Sequence, residues 1–260
     1  MEVHHPHHIP KKFKEYLTEF LMLFAAVTLG FLAENQREHY VEGHRAEELA
    51  QALLKDLVQD STDFHAFQQI RKEDMESINQ AIDIMDTKGI SPNDSVLYYH
   101  VIQGVFVWRY HEFRLTNLNQ IISSGSLRYF KNDELIQAVS DLNVELKKIE
   151  FRQDREKSFF YSDIQPFIID HVEMSYADPH RKGMPRNKFL QILKTYPSSI
   201  SQKDYFFNYQ TPGFVKNSVN KLRGYDWMMN ITNRSYYNNY KIKSQALIKL
   251  LRKNFPNSEI

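Results

Sequence analysis

The chain has 260 residues, 33 Lys and Arg against 32 Asp and Glu, and no cysteine. A net charge of +1 leaves no bulk field to attract nucleic acid. Eight glycines and nine prolines are too few for a turn-rich all-β fold, so long helices are expected.

Residues 1–15 read as a His- and Lys-rich tail. His4, His5, His7 and His8 are the densest group of metal-capable side chains, and imidazole suits Zn, Cu and Ni. A short HHPHH run cannot hold tetrahedral geometry unaided, so the tail is read as solvated and no metal or other cofactor is expected.

Residues 16–33 stand out in a chain whose mean hydropathy is -0.54. Phe20 to Ala33 carries no charge, and counting from Tyr16 gives eighteen residues, the lower edge of what a bilayer of about 30 Å requires. Phe20, Leu21, Met22, Leu23, Phe24, Val27, Leu29, Phe31 and Leu32 together cover every side of a helix. A helix apolar all round must be covered by protein or lipid. Tyr16 suits headgroup depth, and Lys11, Lys12 and Lys14 can reach lipid phosphates. A soluble core helix and a cleaved signal peptide share this layout. The stretch Gly30 to Gln36 lacks a small-x-small cleavage pattern, however, and the helix runs on through it. An uncleaved transmembrane helix is therefore expected. Three flanking lysines before it against Arg37 and Arg45 after it place the N-terminus in the cytoplasm, and residues 34–260 outside the bacterial inner membrane, in the periplasm. The absence of cysteine is compatible with that compartment and with the cytosol.

From Glu34 to Asp86 only Gly43 weakens a helix. Apolar residues recur at helical spacing from Ala46 to Met85, so the anchor is predicted to continue as a stalk, with a bend at Ser61-Thr62-Asp63. Lys88-Gly89 closes it, and Ser91 to Asp94 supplies turn and cap chemistry. Val96 to Tyr110 is β-branched and aromatic yet does not alternate, and is read as a buried helix. A short helix over Leu115–Ile122 and a Ser-Gly break follow. A long helix starts at Asn132-Asp133-Glu134, with a kink predicted at Pro166. Residues 176–186 form a loop, a short helix spans Asn187–Thr195, and a last helix runs from Thr211-Pro212 to Asn254. Five Lys and Arg lie between Lys241 and Lys253, favourably placed at its negative end. The expected fold is all-α: a transmembrane helix, a long stalk and an antiparallel helical bundle.

The opening EVHHPHH with KKFKEYLTEFLMLFAAVTLGFLAENQREH resembles the start of a group of uncharacterised single-pass membrane proteins of Bacteroidota bacteria. TNLNQIISSGSLRYFKNDELIQAVSDL resembles a segment of related helical domains. The resemblance implies an inner-membrane anchor and an all-helical outer domain, and carries no activity or ligand.

Other candidate sites read more plainly. Asp170, His171 and Glu173, with Asp178 and His180, are metal-capable but lack a recognised spacing and are read as a charged helix end. Glu19 lies at the rim of the apolar run. It is read at headgroup level, the alternative being a contact with a neighbouring subunit, with Thr28 and Gly30 permitting close approach. Trp108 to His111 and Tyr225-Asp226-Trp227 are read as core aromatics, or else as the lining of a polar pocket. No P-loop, nucleophile elbow or dinucleotide fingerprint occurs. The functional expectation is a non-enzymatic membrane-anchored scaffold or interaction protein, self-associating or bound to a membrane partner. A periplasmic ligand sensor acting through a partner is the alternative.

Overall fold

The computed structural model describes residues 13–91, 94–177, 182–195, 207 and 213–256. The fold is all-α, and the described residues hold no β-strand, only an isolated bridge between Val172 and Phe207.

Helix α1 (Phe13–Lys88) is a single run of 76 residues, about 114 Å long at 1.5 Å per residue. The bend predicted at Ser61-Thr62-Asp63 does not interrupt it. Thr62 donates its hydroxyl to the Val58 carbonyl at 3.3 Å, and Asp63 accepts from the Gln59 amide at 2.9 Å. Both side chains are thus satisfied on the helix surface and do not recap the backbone. The helix stops at Gly89, whose φ of 71° lets its N–H bond the Met85 carbonyl at 3.0 Å.

The chain beyond adds three legs to the far half of α1, making a bundle of four. The second leg returns along α1. It comprises α2 (Ser95–Val105), capped by Asp94 accepting from Leu97 N at 2.8 Å, a non-helical strap over residues 106–115, and α3 (Thr116–Ser123). Gln103 meets Asp74, Arg114 meets Asp60 and Asn117 meets Asp56, so α1 is traversed backwards. The buried helix expected over Val96–Tyr110 therefore ends five residues early; residues 106–107 bend and 108–110 are neither helix nor strand. The third leg is α4 (Asp133–Phe159), capped by Asn132, then a wide π-helical turn (Phe160–Ile164) and α5 (Gln165–His171). Pro166 sits in the first turn of α5. Just before it, where a kink is predicted, the helix widens into this π turn, in which Gln165 N bonds the Phe160 carbonyl. Helix α6 (Arg186–Thr195) follows. The fourth leg is α7 (Phe214–Ile231), a second π turn (Thr232–Tyr237) and α8 (Asn238–Asn254). Asn254 accepts from Asn132 at 2.9 Å, and the Met228 carbonyl from Arg152 at 3.0 Å, so this leg runs antiparallel to α4.

Two apolar cores fill the bundle. The lower one, nearer the apolar end of α1, joins Ala46, Leu53 and Leu57 to Leu135, Leu142, Ile149, Leu247 and Leu251. The upper one joins Ile78, Ile82 and Met85 to Leu97, Val101, Ile164, Phe189 and Leu222. Full burial of α1 begins only at Ala46, and residues 13–40, exposed apart from the half-buried Thr28, project beyond the bundle as a single helix. An 18-residue window of that projection has a mean hydropathy of 1.8 with none of it buried, long and apolar enough to cross a membrane.

The tightest approach of the second leg to α1 is at Gly104. A Cβ there would lie 2.8 Å from Ile78 Cγ1 and 2.9 Å from the Asp74 carbonyl oxygen. Because the backbone oxygen cannot swing away, Gly104→Ala is expected to lower stability by about 1–3 kcal/mol in urea unfolding of the detergent-solubilised chain. Gly43→Ala, where a Cβ meets nothing within 4 Å, is expected to be neutral or stabilising.

Candidate functional site

The apolar end of α1 is the first candidate. Tyr16, Glu19, Phe20, Leu23, Phe24, Val27, Gly30 and Phe31 are all exposed, Phe31 at 72%. Phe20 stacks on Phe24 with centroids 6.1 Å apart. Thr18 donates its hydroxyl to the Lys14 carbonyl at 2.8 Å, so this polar group is satisfied within the helix. Gly30 has open space where a Cβ would stand, and Thr28 is half-buried. Above Ala33 the surface turns charged at once: Arg37 donates to Glu34 at 2.9 Å, and His44 lies 3.4 Å from Glu48.

The second candidate is a polar layer between the two apolar cores, which sequence reasoning did not single out. Arg71 of α1 and Glu156 of α4 are each about 1% exposed and form an ion pair, Nη2 reaching Oε1 at 2.7 Å and Oε2 at 2.9 Å. Arg71 Nε also donates to Asn233 Oδ1 at 2.8 Å. The Thr232 hydroxyl donates to Glu156, and Arg152 donates to the Thr232 oxygen at 3.1 Å. Burial alone would make the Arg71 guanidinium easier to deprotonate. The Glu156 charge and hydrogen bond, together with Tyr237 and Tyr225, outweigh that and hold its pKa above the ordinary value. Thr232 and Asn233 lie in the second π turn, where the wider winding gives the helix a local geometry unlike the regular α-helix on either side.

One turn higher, Asp74 accepts from Gln103 at 2.9 Å and Arg109 at 2.7 Å, with Arg186 at 3.5 Å. Burial raises the Asp74 carboxyl despite those cations. On the lower side, Asp60 accepts from the Arg114 backbone N–H at 2.9 Å while its other oxygen has no hydrogen bond. Desolvation pushes its pKa up to about 6, against the opposing pull of Arg114.

The other predicted residues separate. Trp108 and Tyr110 stack with centroids 4.9 Å apart, His111 packs against Phe64 and Phe113, and Arg109 turns away to Asp74. Tyr225 is buried against Phe159, Asp226 accepts from Asn79 and Asn230, and Trp227 is 67% exposed. Trp108 to His111 and Tyr225 to Trp227 therefore do not share one pocket. His171 packs on Phe214, and Glu173 accepts from Ser175 N. Among the described residues no three His, Cys, Asp or Glu gather in metal-binding geometry. His4, His5, His7, His8, Asp178 and His180 lie outside the described residues. No family model, curated protein or solved structure matches the chain.

Removing one partner of a buried pair strands the other charge. Arg71→Ala or Glu156→Ala is expected to cost about 3–5 kcal/mol in chemical unfolding, and Arg71→Met with Glu156→Leu much less than the two losses added. The Asp60 carboxyl titrates higher folded than unfolded, so its contribution is fully present below about pH 4 and is lost as pH rises through about 6. Stability profiles should accordingly show wild type losing ground to Asp60→Asn between those values. A pH-independent difference between the two would remove Asp60 from this role.

Proposed function

We propose that the chain is a non-enzymatic, single-pass protein of the bacterial inner membrane. Its helical bundle stands on the periplasmic side as an interaction module and self-associates through the anchor and the stalk. The observation that carries the reading is the exposed apolar surface of residues 16–33, on a helix that runs without a break into a packed bundle. An apolar patch of that extent is not left in water by a soluble monomer. A helix with every backbone group bonded internally is also one of the two structures able to cross lipid. The charged turn at Glu34, Arg37 and Glu38 fits the position where such a helix would leave the apolar layer. The excess of lysine before the apolar run favours the periplasmic side for the bundle.

Two features support interaction over catalysis. Glu156 and Asp74, both deeply buried carboxylates, are engaged in holding legs together. The bundle also keeps an open groove along one flank, between the strap and α4.

The full chain is expected to stay with the membrane pellet after alkaline carbonate washing. Phe24→Lys combined with Val27→Lys should move it into the soluble fraction, because each Lys near a helix centre costs about 2.5–3.5 kcal/mol of insertion. Wild-type protein recovered in the carbonate supernatant would refute membrane anchoring.

A further inference from the structure

The groove between the strap and α4 is built for a chain in extended conformation. One wall is a single stripe of α4 from Asn143 to Lys157, and the other is the strap with α3, from Trp108 to Asn119. The ends are registered. Lys157 Nζ sits over the Trp108 ring, 5.7 Å from its centroid, Gln153 donates to the His111 carbonyl at 3.2 Å, and Asn119 faces the Asn143 end. From Asn143 to Lys157 is about 21 Å of helix at 1.5 Å per residue, the length of roughly six residues of extended peptide. The open groove has a volume of about 680 Å³, within the range of specific binding clefts.

The strap offers an unused backbone edge. Among the described residues, 108–113 form no backbone–backbone hydrogen bond. Their recorded backbone partner is the Gln153 side chain, on the His111 carbonyl. Extended backbone left open in this way is the template on which a peptide adds as a further strand. Two polar atoms of the same wall, Trp108 Nε1 and His111 Nε2, are buried without hydrogen-bond partners, and His111 is only 8% exposed. Buried groups of this kind are uncommon and call for an explanation at the site that holds them.

Charge defines the occupant further. On the α4 wall Glu150 and Asp154 lie between Lys147 and Lys157, each about one turn from a lysine, and Glu112 lines the strap side. The lining thus carries three carboxylates against two ammonium groups. His111 adds no positive charge there, since burial lowers its pKa and keeps the ring neutral at pH 7. The centre of the groove is therefore acidic.

We propose that this groove binds an extended segment of a partner protein, about six residues long, that pairs with the strap backbone and carries a Lys or Arg side chain at its centre. The proposal deepens the interaction-module reading by naming the chemistry of the partner. It does not depend on which membrane the anchor enters.

The test uses the full-length chain in detergent with Trp227→Phe, which leaves Trp108 as the sole tryptophan of the two in the sequence. The probe is an acetylated, amidated hexapeptide of alternating Val and Thr with a single Lys at the centre. Its counterparts carry Glu in place of the Lys, or N-methylated amides along one edge. Trp108 emission is expected to change saturably with the Lys peptide at a Kd of roughly 10⁻⁴ M, and both counterparts should bind at least about tenfold more weakly. Glu150→Lys with Asp154→Lys, both exposed positions, should abolish the response while leaving the helical circular dichroism unchanged. The proposal is overturned by no saturable change up to about 5 mM peptide. Equal binding of the Lys and Glu peptides, undiminished binding of the N-methylated peptide, or an unaffected charge-reversed variant overturns it equally. Any of these leaves the anchoring reading standing, because that is decided by carbonate extraction.

Discussion

The backbone hydrogen bonds of α1 run without interruption from an exposed apolar stretch into a packed bundle, and the rest of the molecule is arranged around that continuity. A loop at the junction would bring free N–H and C=O groups to the very level where the surface changes from apolar to charged. Within a helix those groups are already paired, so the change of environment is carried by side chains alone. The apolar ring ends at Ala33, charges take over from Glu34, and full burial starts at Ala46. The twelve residues between span about 18 Å of helix. Their last turn meets the bundle, where Arg45 bonds Tyr129 and Gly43 lies beside Tyr129 and Phe130. Residues 34–40 are exposed all round, so across them the orientation of the bundle relative to the apolar segment is held by the helix itself.

Inside the bundle, two apolar cores in series would not by themselves fix how the legs slide past one another. Leucine-rich faces tolerate shifts of one turn with little change in buried area. The Arg71–Glu156 pair does not, because the guanidinium must meet the carboxylate, Asn233 and Met229 O together. A slip of one turn would leave a buried charge without its partner, which costs several kcal/mol. Asp74 acts likewise on the second leg, gathering Gln103, Arg109 and Arg186 from two further segments. The net worth of these pairs against an apolar replacement is small. Their effect lies in the penalty on alternative registers, which is a proposal about specificity that the Arg71 and Glu156 substitutions address directly.

Local chemistry was legible in the sequence, and long-range pairing was not. Gly89, Asp94 and Asn132 mark helix ends through contacts within four residues, and each is found where its residue type places it. The apolar run of α1 was equally plain, since its character is compositional. The polar layer was missed because Arg71 and Glu156 are 85 residues apart in sequence. A signal did exist. The buried stripe of α1 passes through Phe64, Arg71, Asp74 and Ile78, and that of α4 through Ile149, Arg152, Glu156 and Phe160. Charges sitting in the register of a core face are the mark of buried pairs. The π turns left no comparable trace. One precedes Pro166, but the other falls on TNRSYY, a sequence with no breaker.

The strap shows why the helix expected over Val96–Tyr110 had to end early. Gln103 is fixed at Asp74 and Asn117 at Asp56, points separated on α1 by about 27 Å. Fourteen residues of helix reach only about 21 Å, so part of the connection must be extended. Its β-branched and aromatic content makes that conformation inexpensive. Extension has a consequence that helix would not. It leaves the main chain of residues 108–113 without main-chain partners among the described residues, on the flank of the bundle where α4 stands off far enough to form a groove. The feature that most resembles a binding edge thus arises from a geometric demand of the fold. The acidic centre contributed by Glu112, Glu150 and Asp154 does not follow from that demand, because exposed positions on a strap and a helix face carry no packing requirement for carboxylates. That charge is the part of the groove on which the proposed partner's Lys or Arg would act.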